Sequence, residues 1–245
     1  MVFYQSKSTG NRGAHGSGGA NMRVFAQAIV ASTVLCLSAS ALAADATAAP
    51  QRPAPAQEKE IAALNGAFAA IDAKQYGAAE HDLSGLAQSS NPTTAAMAFQ
   101  GLAHLYTRTR QFPKAVSAFE SAIALQSKGA RDIDIAALHR LAGQASVVAG
   151  QYDGAIDHLT KWQALAKPES SGARSPDAAV SLSYLAAAQA ERHQFSAAQA
   201  TLAEAVSMTP SPSSRLLALK SAIDSAARSA PFKTGSIAAV ITPRN

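Results

Sequence analysis

The chain has 245 residues and a formal net charge of +5, a length that suffices for one domain with a continuous core. The three charged residues among the first 43 are all basic, so the remainder carries only +2, and it contains no run of Lys and Arg. The sequence therefore lacks the basic surface that nucleic-acid binding requires. Its only cysteine, Cys36, lies in a segment that we expect to be removed, which excludes disulfide and thiol chemistry from the mature protein.

Residues 1–43 have the order of a secretory signal. Arg23 precedes an apolar run that reaches about residue 42, and Ala41 and Ala43 place small residues where a signal peptidase reads. We predict cleavage before Ala44 and a location in the periplasm, with no stable membrane insertion afterwards. The alternative is an uncleaved signal that anchors the protein in the inner membrane. Residues 1–21 are interpreted as an over-extended start, with translation beginning at Met22; the alternative is a start at Met1.

A tether rich in Ala and Pro is predicted for residues 44–57, which show no apolar period. Helical periodicity then runs through residues 58–229 and divides into four hairpins, which begin at Glu60, Ala96, Ala136 and Ala179. The second hairpin is the clearest. Its apolar residues recur at helical spacing in two helices: Phe99, Leu102, Ala103 and Tyr106 in the first, and Ala115, Phe119, Ala122 and Leu125 in the second.

The other hairpins repeat this pattern with local departures. The first helix of the first hairpin has a face of small residues and a face of bulky residues, and we expect the small face to pack on the second helix and the bulky face to remain free. The small residues are Ala63, Gly66, Ala67 and Ala70, and the bulky residues are Ile61, Leu64, Phe68 and Ile71. Trp162 replaces an alanine in the third hairpin, where small-residue packing should fail. Residues 167–177 indicate an exposed loop, residues 213–229 a capping helix and residues 230–245 a flexible tail.

The pattern of the second hairpin resembles the tetratricopeptide repeat (TPR) family, which repeats a bulky residue, Leu-Gly/Ala, Tyr, Ala and Phe over about 34 residues. This resemblance implies an all-α fold: a right-handed superhelical array of about four helix-turn-helix repeats with a C-terminal capping helix. Such arrays bind extended peptides or helices of other proteins on the concave surface that their first helices form.

The resemblance also implies which residues form the partner-binding groove: Phe68, Met97, Gln100, His104, Arg108, Arg140 and Gln144, with Ser183 and Glu191 in the fourth repeat. We expect Arg108 and Arg140 to face the same groove and bind an acidic group of the partner, because a guanidinium donates two parallel hydrogen bonds to a carboxylate. The alternatives are that both arginines are solvated surface charges, and that Ile61, Leu64 and Phe68 belong to the core.

The sequence contains no pattern that catalysis or metal binding requires. It has no His-Glu-x-x-His pair, no phosphate-binding Gly-rich loop and no nucleophile-elbow serine. The histidines that follow the predicted signal lie in separate parts of the hairpins and are not expected to form a metal-ligand cluster. They are His81, His104, His139, His158 and His193. We therefore expect no enzyme activity, metal or cofactor. The chain is interpreted as an exported scaffold for a protein or peptide partner, and the alternative is a structural subunit that self-associates through the first repeat.

Overall fold

The computed structural model describes residues 55–166, 176–228 and 233–242, and every regular element in these ranges is helical. The prediction of an all-α array is confirmed. The elements are α1 (Pro55–Asp72), α2 (Tyr76–Leu86), α3 (Pro92–Arg108), α4 (Phe112–Ala124), a 3₁₀ turn (Leu125–Lys128), α5 (Ile135–Val148), α6 (Tyr152–Leu165), α7 (Pro176–Glu191), α8 (Phe195–Ser207), α9 (Ser214–Arg228) and α10 (Ala238–Ile241).

The described elements begin and end close to the predicted boundaries. α1 starts at Pro55, inside the predicted tether, because proline is well suited to the first turn of a helix, where its missing N–H is not needed. α9, the predicted capping helix, ends at Arg228. The predicted signal, most of the tether and most of the loop at 167–177 lie outside the described residues.

Successive helices pack in series as four hairpins: α1 with α2, α3 with α4, α5 with α6 and α7 with α8. The second helix of each hairpin also contacts the first helix of the next, and α9 continues the series by packing on α8 and α7. Each hairpin thus completes its core only against its neighbours, as in repeat arrays generally. Among the first helices, α1 contacts α3 and α5 contacts α7, whereas α3 and α5 are joined chiefly through α4.

The four hairpin turns share one backbone conformation. Lys74, Arg110, Gly150 and His193 occupy the same place in each turn, with φ values of 60°, 61°, 76° and 60°. A glutamine follows every one of them, and its N–H bonds back to a carbonyl of the first helix, as in Gln75 to Ala70 at 2.8 Å and Gln111 to Tyr106 at 2.8 Å. This left-handed step is a regular way to end a helix and reverse the chain. The turn therefore identifies the repeat independently of its apolar residues.

Small side chains lie where the two helices of each hairpin cross. The first helices contribute Ala67, Ala103, Gly143 and Ala186, and the second helices Ala79, Ala115, Ala155 and Ala198; all eight are buried. One large buried residue of each second helix packs beside them: Leu83, Phe119, Leu159 and Leu202. Small residues at a crossing let two helix backbones approach closely, so the large residue can reach across to the facing helix.

The first helix buries residues of both faces, Ala67 of the small face among them, although the prediction left the bulky face free. Leu64 and Ile71 are 2% and 0% exposed, whereas Ala63 and Gly66, on the small face, are exposed. Phe68 is half-buried, and its ring lies over Gly101 of α3. The bulky face is buried because α1 packs on α3 as well as on α2. The alternative that Ile61, Leu64 and Phe68 belong to the core is therefore correct for Leu64, whereas Ile61 is exposed.

Trp162 is buried at the junction between the third and fourth hairpins. It belongs to the apolar cluster that also holds Leu159 of α6 and Leu182 and Leu185 of α7. The large ring takes the place of a small residue and packs within this cluster. Packing therefore survives at this position, although not through small residues.

The hairpin crossing gives a paired stability prediction. A methyl group on Gly143 would lie 2.5 Å from Cγ of Leu159 and 3.3 Å from the carbonyl oxygen of Ala155, whereas nothing lies within 4 Å of one on Gly66. We expect Gly143→Ala to lower the free energy of unfolding by about 1 to 3 kcal/mol through overpacking. Gly66→Ala should raise it by about 0.5 to 1 kcal/mol through helix propensity. Urea unfolding measures both, and a stabilised Gly143→Ala variant would contradict the described crossing.

Candidate functional site

The residues predicted to form the groove lie along the first helices α1, α3, α5 and α7, and we call the nine of them the first-helix face. Six of these residues are half-buried: Phe68, Met97, Gln100, His104, Arg140 and Gln144. Arg108 is exposed, and Ser183 and Glu191 are buried. The face thus offers side chains that are partly accessible on α3 and α5 and covered on α7.

Arg108 already has a partner within the chain. Its Nη1 lies 3.1 Å from Oδ1 of Asp72, and the two side chains are 32% and 51% exposed. An exposed pair of this kind contributes at most about 1 kcal/mol, so it fixes the arginine loosely at the end of α3. Arg140 forms no ion pair with any residue that the structure describes. Because α3 and α5 pack mainly through α4, the structure does not bring the two arginines onto directly packed helices.

His104 contributes a neutral imidazole to the face. Its ring meets the ring of Phe119 edge to face, with centroids 5.8 Å apart. Burial, and then the positive charge of Arg108, lower the pKa of His104 from 6.5 to about 4. The ring is therefore uncharged at neutral pH and can take part in hydrogen bonds as donor or acceptor.

Gln144 connects two neighbouring first helices. Its Nε2 donates a hydrogen bond of 3.0 Å to Oγ of Ser181 in α7, and that hydroxyl donates to the carbonyl oxygen of Asp177 at 2.8 Å. The amide is therefore held in one orientation by α7. Gln144 supports the geometry of the face between α5 and α7 as well as lining it.

Two histidines that were not expected to cluster meet inside the third hairpin. Nδ1 of His139 in α5 lies 2.9 Å from Nδ1 of His158 in α6, both rings are buried, and Nε2 of His158 lies 3.5 Å from Oε1 of Glu120 in α4. One ring must donate and the other accept, so a single shared hydrogen bond joins them. The pattern that would have found this pair is the repeat register, which places the two residues opposite each other across the hairpin.

The histidine pair does not form a metal site, and the surroundings of His139 favour its uncharged form. Burial is the main cause that lowers the pKa of His139, followed by the positive charges of His158 and Lys161, against the opposing charge of Asp157. Glu120 approaches the far nitrogen of His158 rather than the nitrogen that faces His139. Across the described ranges, no group of three or more His, Cys, Asp or Glu residues could hold a metal ion.

Glu191 is the residue of the face whose environment the sequence did not predict. It is 3% exposed, and its carboxylate accepts three backbone N–H groups from residues 233–242, which we call the tail segment. Gly235 donates to Oε2 at 2.6 Å, and Ile237 and Ala238 donate to Oε1 at 2.8 and 2.9 Å. The residues 230–245 were expected to be flexible, yet this described part of them is packed on α7. An acidic residue more than forty positions away supplies the hydrogen bonds, and no local pattern reveals it.

Apolar contacts complete the surface on which the tail segment lies, and we call this surface, with Glu191, its seat. Ile237, Ala238 and Ile241 are buried, and α10 contacts both α7 and α9. Tyr152, at the start of α6, places its hydroxyl 3.5 Å from the position that a methyl group on Gly235 would take. Burial and the negative charge of Glu191 raise the pKa of this tyrosine. The fourth-repeat end of the first-helix face is thus occupied by the chain itself.

Comparison of the chain with protein-family models and with curated proteins found no match. Within the described ranges, none of the helices combines the length and the apolar character needed to cross a membrane.

The neutral histidines predict how stability depends on pH. The folded-state pKa of His104 is about 4 and its ordinary value is 6.5, so the unfolded chain binds the proton first as the pH falls. Stability is therefore complete above about pH 6.5 and decreases towards pH 4, by about 2 kcal/mol at pH 5 for this residue. The lowered pKa of His139 acts in the same direction. Urea unfolding at pH 7.5 and 5 should show this loss, and His104→Leu should reduce it.

The matched control for this measurement is His81→Gln, which removes an exposed imidazole from α2. We expect this variant to keep the pH dependence of the wild-type protein. An equal loss of stability at pH 5 in wild type and His104→Leu would show that His104 is not the group responsible.

Proposed function

We propose that the chain is an exported interaction scaffold of the TPR type, which binds a peptide or helix of an envelope protein on its first-helix face. The observation that carries the proposal is the seat of the tail segment on α7. A short helical peptide already lies on one part of this face, held by a buried carboxylate and by three apolar residues. The parts of the face on α3 and α5 carry half-buried residues of the same mixed character.

The charges of the face indicate what its partner carries. Arg108 is paired with Asp72, whereas Arg140 has no ionic partner among the described residues, so Arg140 is the residue that remains for an acidic group. Met97 and the ring of His104 offer apolar surface on α3. We therefore propose a partner helix or peptide that is amphipathic, with one acidic side chain directed to Arg140.

The test is affinity capture from envelope extracts on the immobilised chain, with mass spectrometry of the retained proteins and titration of the one recovered. We expect Arg140→Glu to weaken its binding by at least about ten-fold and to flatten the dependence on salt. Arg131→Glu is the control, because it makes the same change of charge at an exposed residue between α4 and α5. Equal loss in both variants, or in neither, would place the binding surface elsewhere.

One observation favours the alternative of a self-associating subunit. The outer side of the first hairpin exposes Ala63 and Gly66, and it forms a depression of about 670 Å³ beside Gly85 and Leu86. In a repeat array this is the side on which another hairpin would stack. Small residues there would let a helix of a second copy approach closely.

Light scattering on the full chain decides between these functions. For the scaffold we expect a monomer whose mass does not change with concentration. For the alternative, a dimer should form that Gly66→Asp dissociates and Ala200→Asp, an exposed change on α8, does not. Phe68→Asp is unsuited to this purpose, because Phe68 packs on α3 and its loss would disturb the core.

A further inference from the structure

The seat of the tail segment has two components, which recognise different things. Glu191 bonds only to backbone N–H groups, which every residue except proline provides. The buried side chains of Ile237, Ala238 and Ile241 lie on one side of the segment, with the spacing of one helical turn. The seat therefore selects for apolar residues at this spacing, and for a chain that can leave three N–H groups free to donate.

A carboxylate as buried as Glu191 needs donors wherever it is not in contact with water. Arg192, the next residue in the sequence, is paired elsewhere, since its Nε lies 2.7 Å from Oδ1 of Asp153. All three hydrogen bonds that the structure gives to Glu191 come from the tail segment. Departure of the segment would therefore leave a binding site for another peptide that supplies the same donors.

The tail segment is also poorly suited to hold its own structure. α10 has only four residues, too few for a helix that is stable by itself in water. At Gly235, φ is 87°, a conformation that the neighbouring hydrogen bond to Glu191 helps to hold. Segments with few buried residues open locally, without unfolding of the whole domain. The segment is expected to leave its seat in this way.

We propose that the surface of α7 around Glu191 is an exchangeable peptide site, which the chain's own tail segment occupies until a partner segment of the same chemistry replaces it. The partner segment starts a short helix, leaves its first N–H groups free for Glu191, and carries small or branched apolar residues at the places of Ile237, Ala238 and Ile241. This inference rests on the proposed function and adds that the tail segment competes with the partner for the surface of α7. A tethered competitor acts at an effective concentration near the millimolar range, so a partner binds well only if it exceeds the tail in affinity or is itself held nearby.

The test uses the full chain and a labelled synthetic peptide of residues 233–242 with blocked ends. Ile237→Asp with Ile241→Asp should release the tail segment, whereas Ala239→Asp changes an exposed residue between them and serves as the control. We expect the peptide to bind the double variant at least about ten-fold more tightly than wild type or Ala239→Asp. Glu191→Gln, added to the double variant, should weaken that binding by about ten-fold, because the charged acceptor is lost. Equal affinity for the double variant and wild type would overturn the proposal.

Hydrogen exchange on the wild-type chain keeps the proposal testable if the double variant does not fold. The amides of Ile237 and Ala238 should exchange at least about one hundred times faster than those in the middle of α7, because the segment opens locally. Equal protection of both groups would show that the tail segment leaves α7 only on global unfolding, and it would overturn the proposal of an exchangeable site.

The outcomes also separate the two proposals. If Arg140→Glu abolishes partner binding and the peptide does not bind the double variant, the proposed function is supported and the exchangeable site is overturned. If the peptide binds the double variant but no partner is captured, the exchangeable site is supported and the proposed function is not.

Discussion

The close approach of two helices within each hairpin is the constraint on which the rest of the structure depends. Alanine or glycine at each crossing lets the backbones come together, and this directs one large residue of each second helix onto the facing helix. The common turn, with its left-handed residue and its glutamine, reverses the chain through the same backbone conformation each time. First helices consequently recur along the array, and the first-helix face runs along them.

The sequence predicted the parts of the fold that local patterns determine. Apolar spacing located all four hairpins and the capping helix, and the small residues of the crossings were recognisable because they recur in every hairpin. Local patterns do not determine burial where it depends on which helices pack beside a given helix. α1 carries two faces of apolar or small residues, and its contact with α3 as well as α2 buries Leu64 and Ile71 in addition to Ala67. The hydrogen bonds between Glu191 and the tail segment join residues that no periodic pattern relates.

The electrostatic character of the first-helix face follows from which of its charges have internal partners. Arg108 is paired with Asp72, and Glu191 is bonded to the tail segment. The ring of His104 is kept neutral by its burial and by the neighbouring arginine. Arg140 remains as the charge of the face that has no ionic partner among the described residues. A partner would therefore meet a mostly neutral surface with one positive position, which favours specificity over long-range attraction.

The two ends of the described array are built differently, and this difference decides where association would occur. At the C-terminal end α9 and the tail segment pack on α7, so the last hairpin has no open side of the kind that the first one shows. At the N-terminal end the exposed residues include Ala63 and Gly66, whose small side chains expose little apolar area and so cost little in water. The same small size would permit close packing of another helix. Stacking at the first hairpin would leave the first-helix face accessible, so self-association and partner binding would use separate surfaces of the same array.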